Sequence, residues 1–431
     1  MKLPWQLVEP LDARRFAEVR HAAIFECCKW DPQVEDVCTL SALPLVLNAE
    51  AWRELAALAE KLAAETLAAE TAILQSPRLF KKLGLPWSLR RRLTDPEILA
   101  GRSRHAHLIR FDFHYTTDGW RISEANTDVP GGFNEASGFT KLMAGHYGTL
   151  AASGDPVAGL VGMIDAAIGR PGTVALVHAT AFTDDRQVMV FLARRLAARG
   201  HKTMLLAPDH LRWEHGRAGV ATDWAREPVD FIFRFFPCEW LPTLPRRCGW
   251  RQLLGGSATP LCNPASALIS QSKRFPLVWD ELPFRLPTWK ALLPKTYDAQ
   301  EALARGRAAE VLVFKPAFGR VGDMIKMPGL TTEKEAVQIN RSLRRHPKLW
   351  VAQEKFDAVP LAGPLGDVYP CVGIYTLNGS VIGAYGRISP QPLINHLAQD
   401  TAVMIAPDPD PQTPNRNPGN ETIRTLQTLG A

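Results

Sequence analysis

A chain of 431 residues is too long for one simple core and suits two or three packed sub-domains, and its 46% hydrophobic and 22% charged content is that of a soluble globular protein. A formal net charge of +6, with Arg90-Arg91-Arg92 as the densest basic cluster and no run of five like charges, argues against nucleic acid and agrees with anionic ligands such as nucleotides and carboxylates. Seven scattered cysteines without a C-x-x-C pair point to reduced thiols in a cytoplasmic protein and away from zinc, and the lack of an eighteen-residue apolar run or a basic-then-apolar start predicts neither membrane insertion nor secretion.

Residues 1–100 read as a helical N-terminal part. The clearest segment begins at Asn48 as its cap and carries Trp52, Leu55, Leu58, Leu62 and Leu67 through an Ala-, Leu- and Glu-rich run, which predicts a packed scaffold helix.

Residues 110–126 have strand periodicity on both sides of Asp118-Gly119 and predict a β-hairpin. Arg110, Asp112 and His114 alternate with Phe111, Phe113 and Tyr115, while Trp120, Ile122, Glu124 and Asn126 share one face of the return strand. With a three-residue loop and Gly119 in the left-handed region, Asp112 stands opposite Glu124 and Arg110 opposite Asn126. Two facing carboxylates repel unless something positive lies between them, and Mg²⁺, which takes one or two carboxylates plus substrate phosphates, suits the place. The same residues could equally form the solvated face of an ordinary antiparallel pair. The loop at residues 127–132 then leads to a helix from about Asn134, a passage able to bring backbone N–H groups up to an anion.

An α/β passage follows within residues 101–260. Residues 173–178 suit a buried parallel strand, 184–199 an amphipathic helix, 203–207 the next strand and 229–236 a further one, predicting a small sheet with helices on both faces. No G-x-G-x-x-G follows the first strand, so a dinucleotide site is not expected there. At the helix start, Thr183 reads as a cap and Asp184 and Asp185 as complements to the helix dipole.

Residues 261–405 change texture. Ser270-Gln-Ser-Lys273 precedes a Pro-punctuated stretch, and a strand over residues 310–314 ends at Lys315. Gly319, Arg320 and Gly322 follow before a return strand over 324–327, a strand-loop-strand pattern unlike the strand-loop-helix of a Walker A site. Two glycines in a hairpin loop are commonplace, but a lysine and an arginine beside exposed N–H groups make a cradle for an anion. Residues 349–354 read as a strand ending at Gln353-Glu354, and 369–376 with 380–387 form a hairpin around Asn378-Gly379. The tail, residues 406–431, is rich in Pro, Asp and Asn and predicts disorder or an extended arm.

The hairpin with its Glu124-x-Asn126 ending, together with Lys315-Pro-Ala-Phe-Gly-Arg-Val-Gly322, resembles the synthetase domain of glutathionylspermidine synthase and its relatives, an ATP-grasp family. The resemblance runs from the N-terminal region to about Arg387 and leaves no length for the amidase domain of some relatives. It implies an α/β (α+β) fold that is ATP-grasp-like, with a pre-ATP-grasp sub-domain, and ATP-dependent joining of a small-molecule carboxylate to an amine. It also implies Mg²⁺ on Asp112, Glu124 and Asn126, and ATP on Lys273, Lys315, Gly319, Gly322, Gln353 and Glu354. Arg110, Arg320 and Arg387 would stabilise the transferring phosphoryl group, and Asp184 and Asp185, where relatives carry glutamate, would hold the amine. The alternatives are a nucleotide-binding pseudoenzyme and a ligase acting on a peptide or protein terminus. Past Arg387 the resemblance thins, although Asn395 and Asp400 could lie near the site.

Overall fold

The computed structural model describes residues 3–34, 37–306, 310–319, 324–364, 366–395 and 398–408, and its architecture is mixed α/β. At its centre the hairpin Leu108–Thr116 and Gly119–Asn126 joins a second hairpin, Gly366–Leu377 and Ser380–Ser389, in an antiparallel sheet whose far edge is Gln399–Thr401. The two hairpins lie far apart in sequence, yet Phe113 pairs with Val372 and Arg110 with Tyr375.

The scaffold helix runs over Ala49–Leu74, and Asn48 caps it by accepting a 2.7 Å hydrogen bond from the Ala51 N–H. Its Leu55, Ala59, Leu62 and Ala63 share one core cluster with Phe111, Phe113, Ile122, Val372 and Ile374. One face of the central sheet is therefore closed by apolar packing, and each fully buried leucine contributes roughly 1.5–3 kcal/mol. The other face carries Arg110, Asp112, His114, Cys371, Tyr385 and Arg387 into a cavity.

The return strand differs from the expected alternation. The tight turn at Thr117-Asp118 sets Thr116 opposite Gly119, whose φ is +87°, and the register shifts so that Asp112 faces Glu124 while Phe113 faces Ile122. Ser123 is the extra residue of a β-bulge. Trp120 and Ile122 consequently turn into the core with Ala125, whereas Glu124 and Asn126 stay on the cavity side. The expected pairing of Asp112 with Glu124 and of Arg110 with Asn126 holds, but through a two-residue turn plus a bulge.

The parallel sheet runs in the order Leu261–Cys262, Phe231–Phe235, Thr173–His178, Lys202–Leu206. Its α-helices, Pro156–Ile168 and Thr183–Ala197, pack together with Val174, Leu176, Phe231 and Phe233. The opposite residues Ala175, Val177, Ile232 and Leu206 cluster with Leu241, Leu253 and Leu254 of the 3-10 segments Cys238–Thr243 and Trp250–Leu254. Short turns thus replace the α-helices expected on that face, because prolines and glycines punctuate the chain there.

A third sheet orders Thr296–Asp298, Trp350–Gln353 and Val313–Pro316, backed by the helices Ala299–Leu303 and Glu333–Arg345. Lys315 lies inside its strand rather than closing it, and the expected return strand is reduced to a bridge between Phe314 and Lys326. A fourth sheet joins Trp5–Leu7, Leu45–Leu47, Val403–Ile405 and Ala151–Ala152, so the N-terminal part also contributes strands. Among the described residues no helix is long and apolar enough to cross a membrane.

Candidate active site

A cavity of about 570 Å³ lies against the polar face of the central sheet. Twelve of the expected site residues line it: Arg110, Asp112, Glu124 and Asn126 from the hairpin, Asp184 and Asp185 from the parallel-sheet unit, Lys273, Lys315, Gly319, Gln353, Glu354, and Arg387 from the second hairpin. Arg320 and Gly322 lie outside the described residues.

Lys273 owes its position to its neighbours. The hydroxyl of Ser270 donates to Glu70 on the scaffold helix, and Ser272 donates to the Leu83 carbonyl at 2.7 Å. Gln271 Oε1 accepts from the N–H groups of Thr127 and Asp128 at 2.7 and 2.9 Å, and Arg274 binds the Trp350 carbonyl and Asp298 at 2.8 and 2.6 Å. With four flanking residues fixed, the Lys273 ammonium reaches Glu124 Oε2 at 2.9 Å and the Gly319 carbonyl at 2.8 Å. The same bonds correct the expectation for the loop after the hairpin: its first two N–H groups are taken by Gln271 instead of facing an anion. A fully buried pair, Arg234 with Asp128 at 2.6 Å, fixes that loop from the other side.

The facing carboxylates are already neutralised. Arg110 donates from Nε and Nη2 to both oxygens of Asp112 at 2.7 and 2.9 Å, and the Asn126 amide donates to Asp112 Oδ2 at 3.0 Å. A third donor of Arg110 goes to the Gly131 carbonyl at 2.9 Å, and its guanidinium lies over the Tyr385 ring. Burial alone would push the Glu124 carboxyl up, but Lys273, backed by Lys315 and Arg110, outweighs it and brings it down to about 2. Lys315 donates to Gln353 Oε1 at 2.7 Å and to the Ser123 carbonyl at 3.2 Å, and burial pushes its ammonium down to about 8.

Asp112, Glu124 and Asn126 make an oxygen-only donor set suited to a hard cation. Among the described residues no group of three His, Cys, Asp or Glu side chains could hold a metal, so such a site needs the Asn126 amide and ligand oxygens to complete it, as Mg²⁺ accepts. Gln353 accepts from Lys315 and donates to Thr296 at 3.0 Å, and Glu354 accepts from the Tyr297 hydroxyl at 2.6 Å.

A second charged group gathers around Asp400, which lines the cavity as the sequence suggested, whereas Lys29 and Glu135 were not expected there. Lys29, on the turn after the helix Ala13–Phe25, places its ammonium 2.6 Å from Glu135 and 3.1 Å from both Asp31 and Asp400. Burial disfavours its charge, but Asp400, Glu135 and Asp31 together hold it well above the usual lysine range. Asp400 also accepts from the Tyr385 hydroxyl at 2.5 Å and lies 3.8 Å from Arg387, whose Nη2 donates to the Asn395 carbonyl at 3.0 Å. Glu135 sits on the π-helical turn Asn134–Phe139, and its unusual backbone gave no sequence signal. Asp184 and Asp185 line the cavity from the first turn of their helix, where the N-cap is Phe182 and no side chain caps, so Thr183 is the first helical residue and not the cap.

No curated protein matches the chain. Among solved structures it is similar to a glutathione synthetase-like effector from Globodera pallida in its apo form, with 14% identity, a TM-score of 0.57, and coverage of 91% of this chain and 97% of that one. A structure described as a gamma-glutamylcysteine synthetase from Methylobacillus flagellatus KT matches at 14% identity and a TM-score of 0.41, over 78% of this chain and 88% of that one. The first likeness shows a shared fold. The family description "Glutathionylspermidine synthase preATP-grasp" matches residues 41–405, past the point at Arg387 where the sequence resemblance thins. With that match spanning most of its length, the chain belongs to the glutathionylspermidine synthase preATP-grasp family.

Proposed function

We propose that the protein is an ATP-dependent ligase that joins a small-molecule carboxylate to an amine through an acyl phosphate. Family membership supports a synthetase-type ligase. The observation that carries the finer reading is the meeting, in one cavity, of the buried Lys315 and the half-buried Lys273, from separate elements, with the Asp112, Glu124 and Asn126 oxygens and with Arg387.

In this reading Lys273 and Lys315 draw in the triphosphate of ATP as point charges, and Asp112, Glu124 and Asn126 hold Mg²⁺. The ion would supply neutralisation of the phosphate oxygens. Arg110 orders Asp112 for that task. Arg387, with Arg320, stabilises charge on the phosphoryl group as it moves to the carboxylate oxygen and the bond to ADP breaks. The amine, held as its cation near Asp184 and Asp185, gives up a proton to solvent and attacks the acyl carbon, and inorganic phosphate leaves. Positioning and electrostatics suffice, and no nucleophilic side chain is required.

ADP release measured with pooled carboxylates and amines tests the reading. A carboxylate-dependent release that yields a hydroxamate when hydroxylamine replaces the amine supports an acyl phosphate. Binding of ATP without turnover across the pools would favour the pseudoenzyme, and no binding would reject the nucleotide site.

A further inference from the structure

The β-bulge at Ser123 serves no purpose internal to the hairpin. Without Ser123 the return strand would still set Trp120, Ile122 and Ala125 toward the core and Arg121, Glu124 and Asn126 toward the other face. Phe113 would still face Ile122 and Asp112 would still face Glu124. Neither the apolar pattern nor the placement of the carboxylates calls for the extra residue.

What Ser123 adds is polar contact. A bulge leaves its extra residue outside the ladder, and this one lies on the outer strand of the central sheet. Its carbonyl accepts from the Lys315 ammonium at 3.2 Å, and its hydroxyl meets His114 Nε2 at 3.1 Å. His114 is buried, donates to the Pro370 carbonyl on the neighbouring strand and rests against Phe356 with ring centroids 5.3 Å apart. A neutral imidazole carries one N–H, so with that donated to Pro370 the Nε2 atom accepts from the Ser123 hydroxyl. Lys315 belongs to another sheet, where Gln353 of the adjacent strand binds the same ammonium at 2.7 Å. An ammonium has three donors, and among the described residues these two acceptors leave one for a ligand in the cavity.

We propose that the Ser123 bulge, clamped by His114, is a positioning device that ties Lys315 to the carboxylate hairpin and aims its remaining N–H at the nucleotide phosphates. The inference rests on the nucleotide reading of the cavity. Its prediction is non-additivity: once the bulge is gone the ammonium is misplaced, and removing it as well changes little.

The test measures ATP affinity by equilibrium titration, with Mg²⁺ and again in EDTA, on the full chain. Deletion of Ser123 is expected to lower the urea midpoint modestly, because buried His114 and Lys315 each lose a partner, and to weaken ATP binding about tenfold. Lys315→Met is expected to weaken binding in the parent background and to add less than about twofold in the deletion background. Parent-like affinity in the deletion, or losses that add in full, overturns the proposal. If the deletion does not fold, Ser123→Ala and Ser123→Thr decide: the first should weaken binding about threefold and the second, which keeps a hydroxyl, should restore it. Equal affinity in Ser123→Ala and the parent then overturns the clamp. The parent's own titration separates the two levels, since failure there rejects the nucleotide reading and this inference with it, whereas parent binding with unaffected variants rejects the inference alone.

Discussion

Replacing Glu124 by Gln removes the carboxylate from a pair whose sign decides how the hairpin is held together. Two uncompensated carboxylates facing each other would make the variant more stable than the parent. The structure forecasts the reverse, because Lys273 lies 2.9 Å from Glu124 with side-chain exposures of 11% and 26%, and the variant strands that ammonium. Breaking a fully buried pair costs about 3–5 kcal/mol and an exposed one about 0–1 kcal/mol. Lys273 keeps the Gly319 carbonyl at 2.8 Å, so an intermediate loss of about 1–2 kcal/mol is expected for Glu124→Gln. Glu124 titrates at about 2 when folded, below its ordinary value of 4.5, so its contribution is complete above the unfolded pKa and is lost as pH falls from there toward 2. Urea denaturation of both proteins, free of nucleotide and in EDTA, should show the gap in full at neutral pH and narrowed at about pH 3.5. A variant as stable as the parent at neutral pH, or a gap that does not narrow, would refute this account. With Glu124 as one of the proposed Mg²⁺ ligands, turnover should fall by a factor of about a hundred or more.

Lys315 titrates at about 8, so ATP affinity should weaken as pH rises through that value, and Lys315→Met should bind weakly with no such dependence; a parallel pH profile in the variant would contradict the assignment. Between about 8 and 10.5 the unfolded chain binds more protons at Lys315 than the folded one, so its effect on nucleotide-free stability has the opposite direction and rises with pH. Arg387→Lys keeps the charge but loses the fork that reaches Asn395, and it should lower kcat by about tenfold while changing ATP affinity little, as steady-state kinetics beside a binding titration would show. Lys29→Met leaves Asp31, Glu135 and Asp400 without their shared cation and should cost about 3 kcal/mol at neutral pH; urea midpoints of the two proteins check it.

The first hairpin strand was legible because polarity and period agree over Arg110–Tyr115 positions, with no bulge to change the parity. In the return strand Trp120, Ile122, Glu124 and Asn126 keep a formal period of two, which conceals that the first two face the core and the last two the cavity. The one cue was Ala125, an apolar residue at the odd parity. Lys273 could be reached through resemblance only, since the contacts that fix its neighbours come from Glu70, Thr127 and Trp350, all distant in sequence. Lys29 left no signal for the same reason: Glu135 and Asp400 come to it through tertiary packing. Past Arg387 the short strands Gln399–Thr401 and Val403–Ile405 are three residues each, too brief for periodicity to register, yet they carry Asp400 to the cavity and complete the N-terminal sheet.

In the proposed function the cavity beneath the two hairpins binds the triphosphate of ATP through Lys273 and Lys315. Thermal unfolding of the full chain across an ATP series with Mg²⁺ tests it most directly, because a ligand that binds the folded state alone stabilises it by about 2.7 kcal/mol at a hundred times its Kd. The melting temperature should climb with ATP concentration for the parent, and only at about tenfold or more higher ATP for Lys273→Met and Lys315→Met. A folded parent whose melting temperature does not move at millimolar ATP, or lysine variants that track the parent, would contradict it.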